Sequence, residues 1–151
     1  MKRALAAMAM AALGAGLGTS TAAAATARWT GKTNQGRAAI AHVRDDGRVR
    51  LIKTKYKAGC RKPGYTWSSA QLWKDLPEGP IEQGNGQFSD SGSLSDTYKR
   101  GSFTVDGSVS GTIAGGRIEG TQSLVIRLFN RQKRQIDVCK SKIRFTVRAP
   151  G

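Results

Sequence analysis

Apolar and polar side chains alternate along several stretches of this chain, and a period of two is typical of a β-strand that buries one face. The stretch Lys142–Arg148 shows it most clearly, since Ile143, Phe145 and Val147 are separated by polar or charged residues. No stretch of residues 26–151 shows the 3.6-residue period of an amphipathic helix. The pattern therefore predicts an all-β fold.

The stretch Gly101–Gly120 carries the same alternation but is broken by glycines. Its apolar residues fall at Phe103, Val105, Val109, Ile113 and Ile118. Asp106-Gly107 and Gly115-Gly116 are typical of tight hairpin turns, because a type I′ turn needs positive φ at both central residues. The stretch is therefore predicted to form three short strands that serve as scaffold.

Further strands are predicted wherever an alternating or apolar run lies between turn residues. They span Ala27–Thr33, Arg37–Arg44, Arg48–Lys57, Tyr65–Trp73, Ser123–Phe129 and Lys142–Arg148. In the third of these the alternation slips by one residue between Leu51 and Ile52, which predicts either a β-bulge or a shift of the strand between faces. About eight to ten short strands with frequent turns predict an antiparallel β-sandwich or barrel.

Two long polar stretches lack this alternation. Pro77–Gly86 is rich in turn residues and predicts a connection. Ser89–Gly101 follows a short strand opened by Phe88, and its serines and glycines predict the most mobile loop of the molecule. A basic turn is predicted at Asn130–Gln135.

The N-terminus has the features of a secretory signal peptide. Lys2 and Arg3 precede a short alanine-rich apolar run, and Ala23-x-Ala25 is a small-residue cleavage signature. The run is too short and too rich in alanine for a good membrane anchor, and no later stretch approaches spanning length. We therefore expect a signal peptide over residues 1–25, a single domain over residues 26–151, and a secreted or periplasmic protein.

The charge is strongly basic, with 25 lysines and arginines against 10 acidic residues and a formal net charge of +15. Without Lys2 and Arg3 the net charge is +13. Such a balance favours anionic partners and carries no information on fold. No specific nucleic-acid motif is present, so extracellular DNA is only one candidate beside envelope polysaccharides, teichoic-type polymers and lipid head groups.

Two clusters hold most of the cations. The first comprises Arg48, Arg50, Lys53, Lys55, Lys57, Arg61 and Lys62; the second comprises Arg127, Arg131, Lys133, Arg134, Lys140, Lys142, Arg144 and Arg148. In the last predicted strand three cations share one face by alternation. If the strands carrying the two cysteines are neighbours, the clusters could merge into one anion-binding face. The alternative is a solvated surface that keeps the sheet soluble.

The two cysteines, Cys60 and Cys139, form an even pair in the predicted exported part, which indicates a disulfide rather than free thiols. The single histidine, His42, has no partner at metal-ligand spacing, so no zinc site is expected. No cofactor motif is present, and no cofactor is expected.

Tyr65, Trp67 and Trp73 share parity along one predicted strand. An exposed row of flat rings could stack on sugars, which gives a carbohydrate-binding module as the alternative function. Packing of the same face in the core is the other interpretation, because aromatic side chains bury large areas.

Enzymatic chemistry is weakly indicated. His42, Asp45 and a serine could be combined on paper, but no nucleophile motif accompanies them. Carboxylate pairs for a small hydrolase could come from Glu78, Glu82, Asp90, Asp96 or Glu119. No catalytic residue is assigned.

Several motifs together resemble a largely uncharacterised family of small secreted bacterial β-domains. They are Trp29-x-Gly31-Lys32-Thr33-x-Gln35-Gly36, Cys60, Gly86-Gln87-Phe88, Val109-x-Gly111-x-Ile113 with Gly120, and a final cysteine before an aromatic strand. The resemblance covers most of residues 26–151. It implies an all-β fold and one disulfide, and it carries over no catalytic residue.

Overall fold

A computed structural model of the chain describes residues 25–74, 82–84 and 86–151. These residues form strands β1 (Thr26–Thr33), β2 (Ala38–Arg44), β3 (Val49–Cys60), β4 (Thr66–Lys74), β5 (Glu82–Gly84), β6 (Gln87–Tyr98), β7 (Gly101–Ala114), β8 (Arg117–Asn130) and β9 (Gln135–Arg148). The predicted signal peptide lies outside the described residues except for Ala25. The described part of the chain contains no helix with the length and hydropathy of a membrane span.

The nine strands of the described residues form one antiparallel sheet in the order β4-β3-β2-β1-β9-β8-β7-β6-β5. Consecutive strands are neighbours except β4 and β5, which lie at the two edges of the sheet. β1 also pairs with β9, which brings the first and last strands together. The predicted all-β antiparallel fold is confirmed.

The sheet folds back on itself, and β9 has two partners on the edge that faces away from β8. Its C-terminal part pairs with β1, while Cys139 and Lys140 pair with Cys60 and Gly59 of β3. The hairpin of β1 and β2 therefore lies in a fork between β3 and β9. The predicted Cys60–Cys139 disulfide is confirmed, and it lies where the fork closes.

The folded sheet buries one face of each half against the other. Side chains of β3 and β4 meet side chains of β7 and β8, as Trp67 does with Phe103 at 5.0 Å between ring centroids. At the centre Thr54 and Trp73 both donate hydrogen bonds to the side-chain oxygen of Gln122. The core includes Ile52, Tyr56, Trp73, Val105, Val109, Leu124, Ile126, Ile143 and Phe145.

The predicted hairpin turn at Asp106-Gly107 is wrong. β7 runs without interruption from Gly101 to Ala114, and both residues lie in its middle. The glycine is there for close packing: a Cβ on Gly107 would lie 2.6 Å from Leu124 Cδ2 and 3.2 Å from the Trp73 ring. The second predicted turn is confirmed, since Gly115 and Gly116 have φ of 55° and 71° between β7 and β8.

The predicted mobile loop at Ser89–Gly101 is also wrong. β6 pairs with β7 over twelve consecutive residues, from Gln87 to Tyr98. Its serines lie on the solvent side of this hairpin and Phe88 is buried, so backbone pairing and not apolar alternation maintains the strand. The predicted connection at Pro77–Gly86 contains the short strand β5.

Other local predictions agree with the structure. The chain turns at Gly36, Gly47 and Gly64, each with positive φ, and the basic turn precedes β9. The predicted bulge lies at the start of β3, where the register against β2 shifts between His42 and Val43.

Candidate functional site

Exposed cations alternate with buried side chains along two strands. On β3, Lys53, Lys55 and Lys57 face solvent while the residues between them are buried. On β9 the exposed cations are Lys140, Lys142, Arg144 and Arg148. Together with Lys32 of β1, which is exposed, these residues form what we call the basic face.

The two basic strands are joined directly. Lys140 pairs with Gly59 of β3, so the outward sides of β3 and β9 are continuous at the fork. β1, β2 and β3 contain no acidic residue, and β9 contains only Asp137 near its start. A part of each predicted cluster thus lies on paired strands, and no carboxylate of these four strands interrupts the cations between Lys140 and Arg148.

The β1–β2 turn locks the fork through two side-chain amides. Gln35 accepts from the backbone N–H of Lys57 at 2.8 Å and donates to the Lys57 carbonyl at 2.9 Å. Asn34 accepts from the N–H of Arg144 at 3.0 Å, and its own N–H donates to the Arg144 carbonyl at 2.8 Å. The turn therefore supplies hydrogen-bond partners to the backbone of β3 at Lys57 and to that of β9 at Arg144. These bonds fix the two residues relative to each other.

A polar cleft of about 650 Å³ opens beside this turn. Its lining combines two cations, several hydroxyls and one carboxylate: Lys32, Arg144, Asn34, Ser110, Thr112, Thr121, Thr146 and Glu119. The carboxylate of Glu119 pairs with Arg117, which leaves the two cations of the lining without that counter-charge. Such a lining suits an anionic group flanked by polar oxygens.

The remaining predicted cations lie elsewhere. Arg48 lies in the β2–β3 turn and Arg50 is the second residue of β3, at the opposite end of the strand from Cys60. Arg127 lies on β8 and forms an ion pair with Asp106 of β7. The pKa of the Asp106 carboxyl is held below its usual value, first by a hydrogen bond from Ser93 and then by Arg127. Arg127 is thus neutralised within the sheet.

A second concentration of charge lies at the end of the molecule where β3, β6 and β8 finish. The turns there carry seven exposed cations, which we call the basic tip: Arg61, Lys62, Lys99, Arg100, Arg131, Lys133 and Arg134. The backbone of Arg61 bonds to Val138 of β9, and the side chain of Arg131 donates to the carbonyl of Lys99. These contacts show that the three turns are adjacent.

The predicted aromatic row does not form an exposed platform. Trp73 is 4% exposed and lies in the core, and Trp67 is partly buried against Tyr98 and Phe103. Only Tyr65, which precedes β4, is well exposed. Successive side chains of a strand point to opposite faces. Ala70 and Leu72 of β4 are exposed on the solvent side, so Trp73 points inward. Trp73 thus lies in the core and Trp67 packs against it, whereas Tyr65 does not.

Three of the carboxylates considered for hydrolysis belong to the described residues, and they lie apart from one another. Asp90 and Asp96 lie six positions apart on β6, and Glu119 lies on the outward side of β8. Glu78 and the side chain of Glu82 lie outside the described residues. His42 lies on β2, whereas Asp45 is exposed in the following turn.

One cluster in the described residues has the composition of a metal site. The sulfurs of Cys60 and Cys139 and the carboxylate of Asp137 lie within 4.8 Å of one another. Both sulfurs are joined in the disulfide, so neither is a thiolate that could bind a metal ion.

Sequence reasoning missed three cations and two amides of these surfaces. Lys32 lies in a predicted strand but far along the chain from either cluster, and Lys99 and Arg100 lie in the stretch expected to be a loop. Asn34 and Gln35 lie between the first two predicted strands. Two side-chain amides in a short connection between strands were the feature of the sequence that could have indicated hydrogen bonds to neighbouring strands.

Comparisons with known proteins leave the chain without an assigned relative. No protein-family model matches it, and neither the curated proteins nor the solved structures contain a match.

Proposed function

We propose that this chain is an exported, non-enzymatic binding domain whose basic face holds an anionic polymer of the cell envelope or the extracellular space. The observation that supports this most is the row of exposed cations on β3 and β9, two strands that pair beside the disulfide. Export is supported by the predicted signal peptide and by the Cys60–Cys139 bond, since disulfides persist in oxidising compartments.

The binding mechanism is counterion release. A polymer of phosphates or carboxylates that lies along the basic face displaces the small anions held there, and the affinity then falls steeply with salt. The strands space the cations regularly, because outward side chains on one strand recur every second residue. A flexible charged chain can therefore contact several of them at once.

The cleft beside the β1–β2 turn adds selectivity to this charge attraction. Lys32 and Arg144 can hold one anionic group of the polymer, while the hydroxyls of Thr112, Thr121 and Thr146 bond to neighbouring oxygens. The locked turn keeps this geometry without a ligand, which lowers the entropy cost of binding.

The test compares two variants that lose equal charge from different places. The first removes three cations of the basic face, and the second removes three of the basic tip: K142Q/R144Q/R148Q and K99Q/R131Q/R134Q. Binding to polyphosphate and to polygalacturonate is measured by calorimetry at a series of sodium chloride concentrations. Cooperative thermal unfolding checks that both variants are folded.

We expect the wild-type affinity to fall steeply as salt rises. The face variant should bind at least tenfold more weakly, with a salt slope lower by about one for each phosphate that its missing cations would have neutralised. The tip variant should keep most of the wild-type affinity for these polymers. Equal weakening by the two variants would show that net charge alone attracts the polymer. That result, or unchanged binding by the face variant, would overturn the proposal.

A further inference from the structure

The basic tip differs from the basic face in carrying exposed apolar side chains among its cations. Tyr65 and Ile136 are each 52% exposed, the highest values among the large hydrophobic residues of the described chain. Tyr65 lies in the β3–β4 loop, and Ile136 directly follows the first residue of β9. Two exposed side chains with large apolar surfaces therefore lie among the cations of the basic tip.

Contacts across the turns place all these residues at one end. The N–H of Lys62 donates to the Asp137 carboxylate at 3.3 Å, which joins the β3–β4 loop to the start of β9. The ammonium group of Lys62 lies 4.5 Å from the centre of the Tyr65 ring. Register pairing of Gly101 with Asn130 brings the β6–β7 turn beside the β8–β9 turn.

The acidic residues nearest the tip do not cancel its charge. Asp96 accepts the backbone N–H of Thr97, and Asp137 accepts those of Lys62 and Val138. Both carboxylates keep their charge, and two negative charges stand against the seven positive charges of the tip. The tip is therefore a cationic surface that carries two exposed apolar side chains.

The tip also has a rigid base. The Cys60–Cys139 disulfide anchors one side of the β3–β4 loop to β9. Below the turns, the rings of Trp67, Tyr98 and Phe103 pack against one another with centroids 5.0 to 6.4 Å apart. The protruding side chains therefore lie on a preformed base, which lowers the ordering cost on binding.

We propose that the basic tip docks this protein onto an anionic lipid bilayer, with the cations at the head groups and Tyr65 and Ile136 inserted at the interface. Lysines and arginines are attracted to the negative surface potential of such a membrane, and tyrosine is favoured at the head-group level. A soluble polyanion would use the cations but would give an exposed isoleucine no apolar environment. This proposal uses different residues from the basic face and does not depend on it.

The test is co-sedimentation of the full mature chain with vesicles. One set contains phosphatidylcholine alone, and the other contains phosphatidylcholine mixed with phosphatidylglycerol. The variants are Y65S/I136S for insertion, K99Q/R131Q/R134Q for charge, and two controls, L72S and K142Q/R144Q/R148Q. Leu72 is a suitable control because it is 38% exposed on the solvent side of β4, away from the tip.

We expect the wild type to sediment with the anionic vesicles and not with phosphatidylcholine alone. Loss of three tip cations should weaken partitioning by about fivefold for each charge. Y65S/I136S should weaken it by about tenfold or more, because apolar burial at the interface is lost. L72S and the face variant should partition as the wild type does.

Two outcomes would overturn the proposal. If Y65S/I136S partitions as well as the wild type, the tip attracts anions by charge alone and inserts nothing. If the face variant loses as much partitioning as the tip variant, the bilayer does not select the tip. Because the polymer assays use the same two charge variants, failure of this proposal is distinguishable from failure of the basic-face proposal.

Discussion

The indole N–H of Trp73 donates a hydrogen bond of 2.8 Å to the side-chain oxygen of Gln122, across the interior from β4 to β8. The hydroxyl of Thr54 on β3 donates to the same oxygen, also at 2.8 Å. All three side chains are buried. One amide oxygen therefore holds three strands from both halves of the folded sheet.

We expect Q122L to be destabilising. The substitution supplies an apolar side chain of similar size but leaves the Trp73 and Thr54 donors buried without an acceptor. Each unsatisfied donor costs about 1–3 kcal/mol, and the loss of the Gln122 amide nitrogen, which is buried without a partner, offsets about one of the two. The free energy of unfolding should therefore fall by about 1–3 kcal/mol. Urea unfolding followed by tryptophan fluorescence measures the change.

The triple variant T54V/W73F/Q122L is the control. It removes the two donors together with the acceptor. Its loss of unfolding free energy should therefore be smaller than the sum of the losses measured for T54V, W73F and Q122L alone. Strict additivity, or a Q122L cost below about 0.5 kcal/mol, would show that the shared oxygen contributes little.

Local pattern predicted the strands whose buried side chains are mostly apolar. β9 is an example, since Ile143, Phe145 and Val147 are buried while Lys142, Arg144 and Arg148 are exposed. The Gly115-Gly116 turn was also predictable, because positive φ at two successive residues is a local requirement. Such features depend on neighbouring residues alone.

Features that depend on distant residues could not be predicted from local pattern. Gly107 has the local signature of a turn, but its role is to leave room for Trp73, which approaches from another strand. The same holds for the candidate site. Which cations share a face follows from the pairing of Gly59 with Lys140, and this register is set by the whole sheet.

Gly107 and Gly92 lie directly opposite each other on β7 and β6, and we expect opposite responses to alanine. A Cβ on Gly107 would press on Leu124, which is buried in the same core as Trp73, so G107A should cost about 1–3 kcal/mol. A Cβ on Gly92 would meet nothing within 4 Å, so G92A should be neutral or stabilise by about 0.5–1 kcal/mol. Thermal unfolding of both variants tests this, and equal effects would contradict the packing role of Gly107.

Removing the disulfide should lower stability without changing the sheet. The bond joins residues 79 positions apart, and closing a loop of that length stabilises the folded state by about 4 kcal/mol. We expect C60A/C139A to unfold at lower urea concentration, and the reduced wild type to match it. The circular dichroism of the folded variant should be unchanged. A stability equal to that of the oxidised wild type would show that the loop-closure term is offset in the native state.

The Asp106 carboxylate should make stability depend on pH in the acid range. Its folded-state pKa lies below the ordinary value because Ser93 and Arg127 favour the charged form. A depressed pKa contributes stability above the unfolded pKa, and that contribution is lost as the pH falls through the folded pKa. Unfolding by urea between pH 7 and pH 2 should therefore show D106N to be less stable than the wild type at neutral pH, with the difference disappearing in acid.

The matched control for D106N is D45N, which removes one carboxylate from an exposed turn. It raises the net charge by the same amount, so it reports the effect of added self-repulsion in a basic protein. S93A should shift the Asp106 titration to higher pH, because the hydrogen bond from Ser93 is the largest cause of the depressed pKa. If D45N and D106N share one pH profile, the loss reflects net charge, and the contacts of Asp106 with Ser93 and Arg127 contribute nothing specific.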